Sequence, residues 1–119
     1  MNITQVVTVG VPVTDQDRAL EFYTRTLGLE KVREFPVGDG KRWIEVVPPA
    51  AATTIALIAA GTPVGPRLTA PDVAAIFAEL RARGADTDPE ILRLGPGVPP
   101  MFSLRDPDGN VLTIVEGTR

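Results

Sequence analysis

The sequence predicts an α+β fold built from two consecutive βαβββ modules. Two observations carry this prediction: the order of strand-like and helix-like segments repeats, and residues of the two predicted helices match at a constant spacing of 55 residues. The matching pairs are Thr14/Thr69, Asp17/Asp72, Ala19/Ala74 and Phe22/Phe77. A segment rich in glycine and proline separates the repeats. We therefore predict a single domain over residues 1–119, with module one at about 1–60, a linker at 61–65 and module two at about 66–119.

The first module begins with a valine-rich strand at Ile3–Val13, in which the alternation of valines predicts one side facing a core. The period then changes, and Thr14-x-x-Asp17 predicts a capping box at the start of a helix that Gly28 ends. The remaining predicted strands of this module are Glu30–Phe35, Arg42–Val47 and Thr54–Ala59.

The second module repeats this order. A short strand at Arg67–Thr69 precedes a second predicted capping box, Thr69-x-x-Asp72, and a helix with apolar residues at helical spacing that Gly84 ends. The remaining predicted strands are Glu90–Leu94, Met101–Arg105 and Val111–Glu116. The segment 106–110, Asp-Pro-Asp-Gly-Asn, lacks the 12-residue calcium pattern and is predicted to be a tight turn.

The composition excludes several classes of function. The chain has no cysteine and no histidine, which removes disulfides, thiolate nucleophiles, histidine bases and the commonest ligands of zinc, iron, copper and nickel. Its net charge is −3 and its twelve basic residues are scattered, so nucleic acid is not an expected partner. No apolar run approaches the ~18 residues of a membrane span, and the first residues lack the pattern of a signal peptide. We therefore expect a cytoplasmic protein that binds neither nucleic acid nor membranes.

Three blocks of the sequence resemble those of a known group, the vicinal oxygen chelate superfamily, which includes glyoxalase I, extradiol dioxygenases and bleomycin-resistance proteins. The blocks are Val13–Tyr23 with the following Leu27-Gly28, then Lys41–Val46, then Asp106–Asn110 before the last strand. The resemblance covers nearly the whole chain. It implies that each module forms a curved mixed sheet around a cup-shaped cavity, as in glyoxalase and bleomycin-resistance proteins, and that the chain forms a homodimer.

The resemblance also implies where a metal ion would be held, because active members bind a divalent cation with His, Glu or Gln side chains from four strands. Those positions fall on Thr8, Ala56, Gly65 and Thr113. A shift of one residue in either direction gives no better donors. Such a set supplies at most two neutral hydroxyls, whereas divalent cations require imidazole, carboxylate or several carbonyl oxygens. We therefore predict no metal and no cofactor.

Candidate ligand-binding residues follow from strand alternation. Trp43 and Glu45 share a strand face, where the indole could stack on a flat ligand or belong to the core or a dimer interface. Glu45 could act as a general base, bind a cationic ligand, be an exposed carboxylate on an open rim, or pair with Arg42 or Arg67. Arg67 could hold an anionic group or simply be solvated.

On the seventh strand, Phe102 and Leu104 are assigned to the core, so that Met101 and Ser103 line the cavity. The full predicted ligand-binding set is Thr8, Trp43, Glu45, Ala56, Arg67, Met101, Ser103 and Thr113, with Glu45 also the candidate catalytic residue.

Together these features predict a metal-free protein that binds a small organic ligand, aromatic or cationic, and resembles drug-sequestering bleomycin-resistance proteins. The alternative is an enzyme: a glyoxalase-like isomerase or lyase, or a dioxygenase-related protein, which either uses Glu45 as base without a metal or holds a metal with ligands that the sequence does not reveal. Because the four metal positions carry no suitable ligands, a binding protein is favoured over an enzyme. A third possibility is an interaction module whose cup is closed.

Overall fold

The computed structural model describes residues 1–117 and confirms the α+β class with two βαβββ modules. The first module consists of β1 (Gln5–Val13), α1 (Gln16–Glu21), a π-helical turn (Phe22–Thr26), β2 (Glu30–Gly38), β3 (Lys41–Val47) and β4 (Thr54–Ala59). The second consists of β5 (Arg67–Ala70), α2 (Val73–Ala82), β6 (Asp86–Thr87), β7 (Met101–Arg105) and β8 (Val111–Glu116).

The chain divides into two compact units, of which one is Thr8–Val64 and the other combines Met1–Val7 with the chain from Gly65 onward. The single domain and its module boundaries stay a prediction, and the last two residues of predicted module two lie outside the described range. No helix within residues 1–117 is long and apolar enough to cross a membrane.

The unit Thr8–Val64 has the strand order β2-β3-β4-β1, with β1 and β4 parallel and the other neighbours antiparallel. One face of this sheet is apolar because alternate residues of β3 and β4 point to the same side. Ile44, Val46 and Leu57 are fully buried there. Residues of the helical segment pack on them, including Leu20 and Tyr23. The other face carries no helix and holds the candidate site described below.

The start of α1 differs from the prediction. Its N-cap is Asp15, whose carboxylate accepts a hydrogen bond from the Arg18 backbone N–H at 3.0 Å, so the predicted capping box beginning at Thr14 is wrong. Gly28 ends the helical segment with φ +77°, as predicted. Gln16 fixes the helix to the sheet: its amide donates to the carbonyls of Arg42 and Leu57 and accepts the Arg42 N–H.

The second unit repeats this topology, with strand order β6-β7-β8-β5 and a parallel β5–β8 pair. The apolar face of α2 and the strands enclose a core around Phe102 and Ile114, with Leu104 packed against it. Phe102 and Leu104 therefore lie in the core as predicted. The N-cap of α2 is Asp72, which accepts the Ala75 N–H at 3.1 Å, while Thr69 is part of β5, so the second predicted capping box is also wrong.

The predicted strand Glu90–Leu94 is wrong. β6 is instead the short segment Asp86–Thr87, and Leu92 makes only an isolated bridge to Met101. Leu92 and Leu94 are exposed. The alternation of apolar residues that predicted a strand is therefore present, but the segment lacks a continuous partner strand.

Candidate functional site

The helix-free face of the unit Thr8–Val64 is defined by strand register. Arg33 of β2 lies opposite Glu45 of β3, which lies opposite Ala56 of β4, which in turn lies opposite Gly10 of β1. Residues paired across neighbouring strands share a sheet face. The pairs Phe35–Trp43 and Thr8–Thr54 lie on this same face. Each is two residues along its strands from a pair just named, and every second residue of a strand points to the same side. The structure thus brings together Thr8, Trp43, Glu45 and Ala56, four of the eight predicted residues.

Glu45 is a buried carboxylate at the centre of this face. Its side chain is 6% exposed, and its Oε1 accepts hydrogen bonds from Trp43 Nε1 at 2.7 Å and from Arg33 Nη1 at 3.3 Å. Its interpretations as an exposed carboxylate and as a partner of Arg42 are wrong, because it is buried and Arg42 pairs with Asp17 at 2.7 Å and with Glu34 at 2.8 Å. Sequence analysis did not identify Arg33, which only the pairing of β2 with β3 places beside Glu45.

Trp43 lies beside an aromatic partner. Its ring stacks on that of Phe35 with 6.2 Å between centroids and 15° between planes. Its indole N–H is already donated to Glu45. The pair therefore offers apolar aromatic surface next to a carboxylate.

Thr8 and Ala56 lie deeper in the same unit. Ala56 is fully buried, and Thr8 is 4% exposed. The hydroxyl of Thr8 forms a hydrogen bond of 2.9 Å with that of Thr54, its register partner. A ligand reaches these two residues only if surrounding groups move.

The other four predicted residues lie in the second unit, on the helix-free face of its sheet. Arg67 of β5 lies opposite Thr113 of β8, which lies opposite Ser103 of β7. The hydroxyls of Ser103 and Thr113 form a hydrogen bond of 3.0 Å. Met101, two residues before Ser103, has the same orientation and is half-buried.

The four positions that would hold the superfamily's metal ion do not fit one. Ala56 has no donor, and the hydroxyls of Thr8 and Thr113 are hydrogen-bonded to other hydroxyls. At Gly65 a Cβ atom would lie 1.6 Å from the carbonyl oxygen of Val111, so the present backbone admits no side chain there. Over the described residues 1–117, no three carboxylate side chains are grouped as a metal site.

A comparison with protein families assigns the chain. The model of the Glyoxalase/Bleomycin resistance protein/Dioxygenase superfamily matches residues 5–114, so the chain belongs to this superfamily. The resemblance inferred from the sequence blocks is thereby confirmed.

Three individual proteins illustrate what the chain is similar to. The chain is 26% identical over 123 residues to the uncharacterized protein YetH of Bacillus subtilis, covering 96% of this chain and 99% of YetH. It is 25% identical to methylmalonyl-CoA epimerase from Mycobacterium tuberculosis, with a TM-score of 0.80 over 98% of this chain and 90% of the epimerase. It is also 31% identical to TnmS3, an antibiotic-binding protein from Streptomyces sp. CB03234, with a TM-score of 0.47 and 99% of each chain covered.

Proposed function

We propose that this protein binds a small organic molecule without a metal ion, in the manner of the drug-sequestering members of its superfamily. The observation that carries the proposal is the chemistry of the four metal positions, where hydroxyl pairs, a methyl group and a glycine packed against a carbonyl replace ligands. Sequestration requires affinity alone, so the loss of a metal does not impair it.

The side chains on the two helix-free faces indicate the kind of ligand. The first face offers the aromatic pair Phe35–Trp43 and the carboxylate of Glu45. The second offers the thioether of Met101, which adapts to irregular shapes, and the hydroxyls of Ser103 and Thr113. The groups of the first face suit an aromatic or cationic organic molecule. A homodimer and a cytoplasmic location, both inferred from the sequence, remain part of the proposal.

The experiment is a thermal-shift screen of the full chain against a broad library of organic ligands that includes aromatic and glycopeptide antibiotics. A ligand at 100 times its Kd stabilises the folded state by ~2.7 kcal/mol, which is readily measured. Binding is then titrated through the fluorescence of Trp43, the only tryptophan. Substitution of Trp43 by Phe removes the fluorescent reporter, so this variant is measured by calorimetry; it is expected to bind more weakly, whereas V37A, at an exposed position on β2, serves as control. A library without a single stabilising ligand would contradict the proposal.

A second candidate function is a metal-independent isomerase. The observation that favours it is the buried carboxylate of Glu45, together with the likeness to an enzyme, the mycobacterial epimerase. As a base, Glu45 would take a proton from a carbon acid and return it to a neighbouring atom on the same face of the substrate, which is a net isomerisation. The E45Q variant separates the two functions. A catalytic base is indicated if E45Q abolishes turnover and retains ligand affinity, with E30Q on exposed β2 as the matched control.

Metal analysis tests the feature that both candidates share. Freshly purified protein is expected to contain nickel, zinc, manganese and iron far below one equivalent per chain. One equivalent of any of them, bound tightly enough to survive dialysis, would show that ligands other than the four mapped positions hold a metal. That result would make a metal-dependent enzyme the better description.

A further inference from the structure

We propose that Arg33 is an exchangeable partner of Glu45, and that the ligand of this face is an aromatic cation whose charged group takes the place of the Arg33 guanidinium. This inference rests on the proposed binding function and names the chemical class of its ligand. It starts from the unequal exposure of the two charged side chains, which is 60% for Arg33 and 6% for Glu45.

Exchange of Arg33 costs little. The Arg33 guanidinium is largely solvated, and its 3.3 Å contact with Glu45 is longer than the 2.7–2.9 Å or so of a strong charge-assisted hydrogen bond. A guanidinium released from Glu45 turns into water, where it regains both hydration and rotamer freedom. Trp43 is held more firmly, since its indole donates to the same oxygen at 2.7 Å.

The buried carboxylate makes the exchange selective for charge. A ligand that displaced Arg33 without supplying a cation would leave Glu45 buried with one of its two donors lost. A carboxylate buried to this extent is stabilised only while a cation or donor faces it, so a ligand without positive charge loses affinity at this position. Neutral and anionic molecules are therefore disfavoured at this position, whereas an ammonium, amidinium or guanidinium group restores the pair.

The neighbouring aromatic pair determines the rest of the ligand. Trp43 and Glu45 are two residues apart on one strand, so their Cα atoms are separated by about 6.5 Å. An aromatic ring that carries its cationic group directly spans this distance. Phe35 is 44% exposed, and its stacked ring lets a ligand ring approach from solvent beside the site of exchange.

The experiment compares three probes of matched shape: benzamidinium, the neutral benzamide and the anionic benzoate. Their affinities are measured by calorimetry and by Trp43 fluorescence for the wild type and for R33M, which retains the length of the stem but removes the charge. We expect R33M to bind benzamidinium about fivefold more tightly, because the competing guanidinium is gone and a partly exposed ion pair is worth about that factor. Benzamide and benzoate should gain nothing.

The control is K31M, which removes a cation from the same strand. Lys31 pairs with Glu34 at 2.9 Å and not with Glu45, so this variant changes the net charge equally and should leave the benzamidinium affinity within about twofold of wild type. Circular dichroism and thermal unfolding establish that both variants fold.

Unchanged or weaker benzamidinium binding in R33M would overturn the inference. So would benzoate binding that the wild type shows and R33M loses, because Arg33 would then be an anion contact. In both cases the proposed binding function would stand if the library screen had yielded ligands. If no probe and no library member binds, the proposed function fails and this inference fails with it.

Discussion

Substitution of Gly65 by Ala tests the claim that this metal position has no room for a ligating side chain. The claim depends on how closely the backbone of Val111 packs against Gly65. An added Cβ would lie 1.6 Å from the Val111 carbonyl oxygen and 2.9 Å from its carbonyl carbon. An ordinary C···O contact is about 3.3 Å, so the backbone at Gly65 and at Val111 must separate by roughly 1.7 Å. The obstacle is backbone on both sides, and no side-chain rotation relieves it.

The expected cost of G65A is about 3 kcal/mol. Overpacking contributes about 1–3 kcal/mol, and separation also weakens the neighbouring hydrogen bond from Thr113 N–H to the Pro66 carbonyl, worth about 1 kcal/mol. For a domain of this size the melting temperature should fall by about 10 °C. Urea unfolding followed by fluorescence measures the free energy directly.

The matched control is Gly117→Ala in the same unit. There the added Cβ would meet the methyl group of Thr69 at 3.2 Å, a contact that a side chain relieves by moving a few tenths of an ångström. Neither glycine has the left-handed φ that would strain an alanine, so the two variants differ mainly in steric room. G117A should cost less than about 1 kcal/mol. If G65A is as stable as G117A, the argument that residue 65 admits no side chain is refuted.

Three further predictions concern stability. The Q16A variant removes three hydrogen bonds between α1 and the sheet and should destabilise the protein by about 2–3 kcal/mol in urea unfolding. An unchanged midpoint would contradict this assignment. Substitution of the fully buried Ile44 by Ala should cost about 2–5 kcal/mol, and a loss below 1 kcal/mol would place Ile44 outside the core. Hydrogen bonds from the Asn110 side chain and from backbone N–H groups lower the pKa of Asp106. The ionised Asp106 therefore stabilises the fold at any pH above its unfolded pKa of about 4. This stabilisation is lost as the pH falls through the lower pKa of the folded state. The N110A variant should raise that pKa towards its ordinary value in a carbon-13 NMR titration, and an identical titration curve would refute the role of Asn110.

Much of the fold could be predicted from local patterns. The strands Thr54–Ala59, Met101–Arg105 and Val111–Glu116 match their predicted bounds, because alternating residues between clear turn signals determine both type and length. The order of elements in the repeat was also predicted correctly, but its spacing of 55 residues was wrong, because the helix N-caps Asp15 and Asp72 lie 57 residues apart. The π-helical turn Phe22–Thr26 was not predicted, because the local apolar spacing does not distinguish it from an α-helix. β6 was misplaced because strand pairing, rather than propensity, determines which segment joins a sheet.

The candidate site, like the fold, could be predicted only in part. Strand alternation placed Trp43 and Glu45 on one face without knowledge of any partner strand. Their neighbour Arg33 could not be found this way, because its position depends on the register between β2 and β3. Two irregularities shift that register, one between Lys31 and Arg33 and one near Pro36, and the sequence analysis ended the strand before the second. A one-residue error turns every side chain of a strand to the other face.

The duplicated topology explains why the two faces differ so much in chemistry. By strand register, Glu45 corresponds to Ser103, Ala56 to Thr113, and Gly10 to Arg67. One module thus carries a carboxylate beside two residues without functional groups, whereas the other carries a guanidinium beside two hydroxyls. Each face therefore has its own charge and polarity, and neither presents the carboxylate or imidazole donors that a divalent ion requires at the mapped positions.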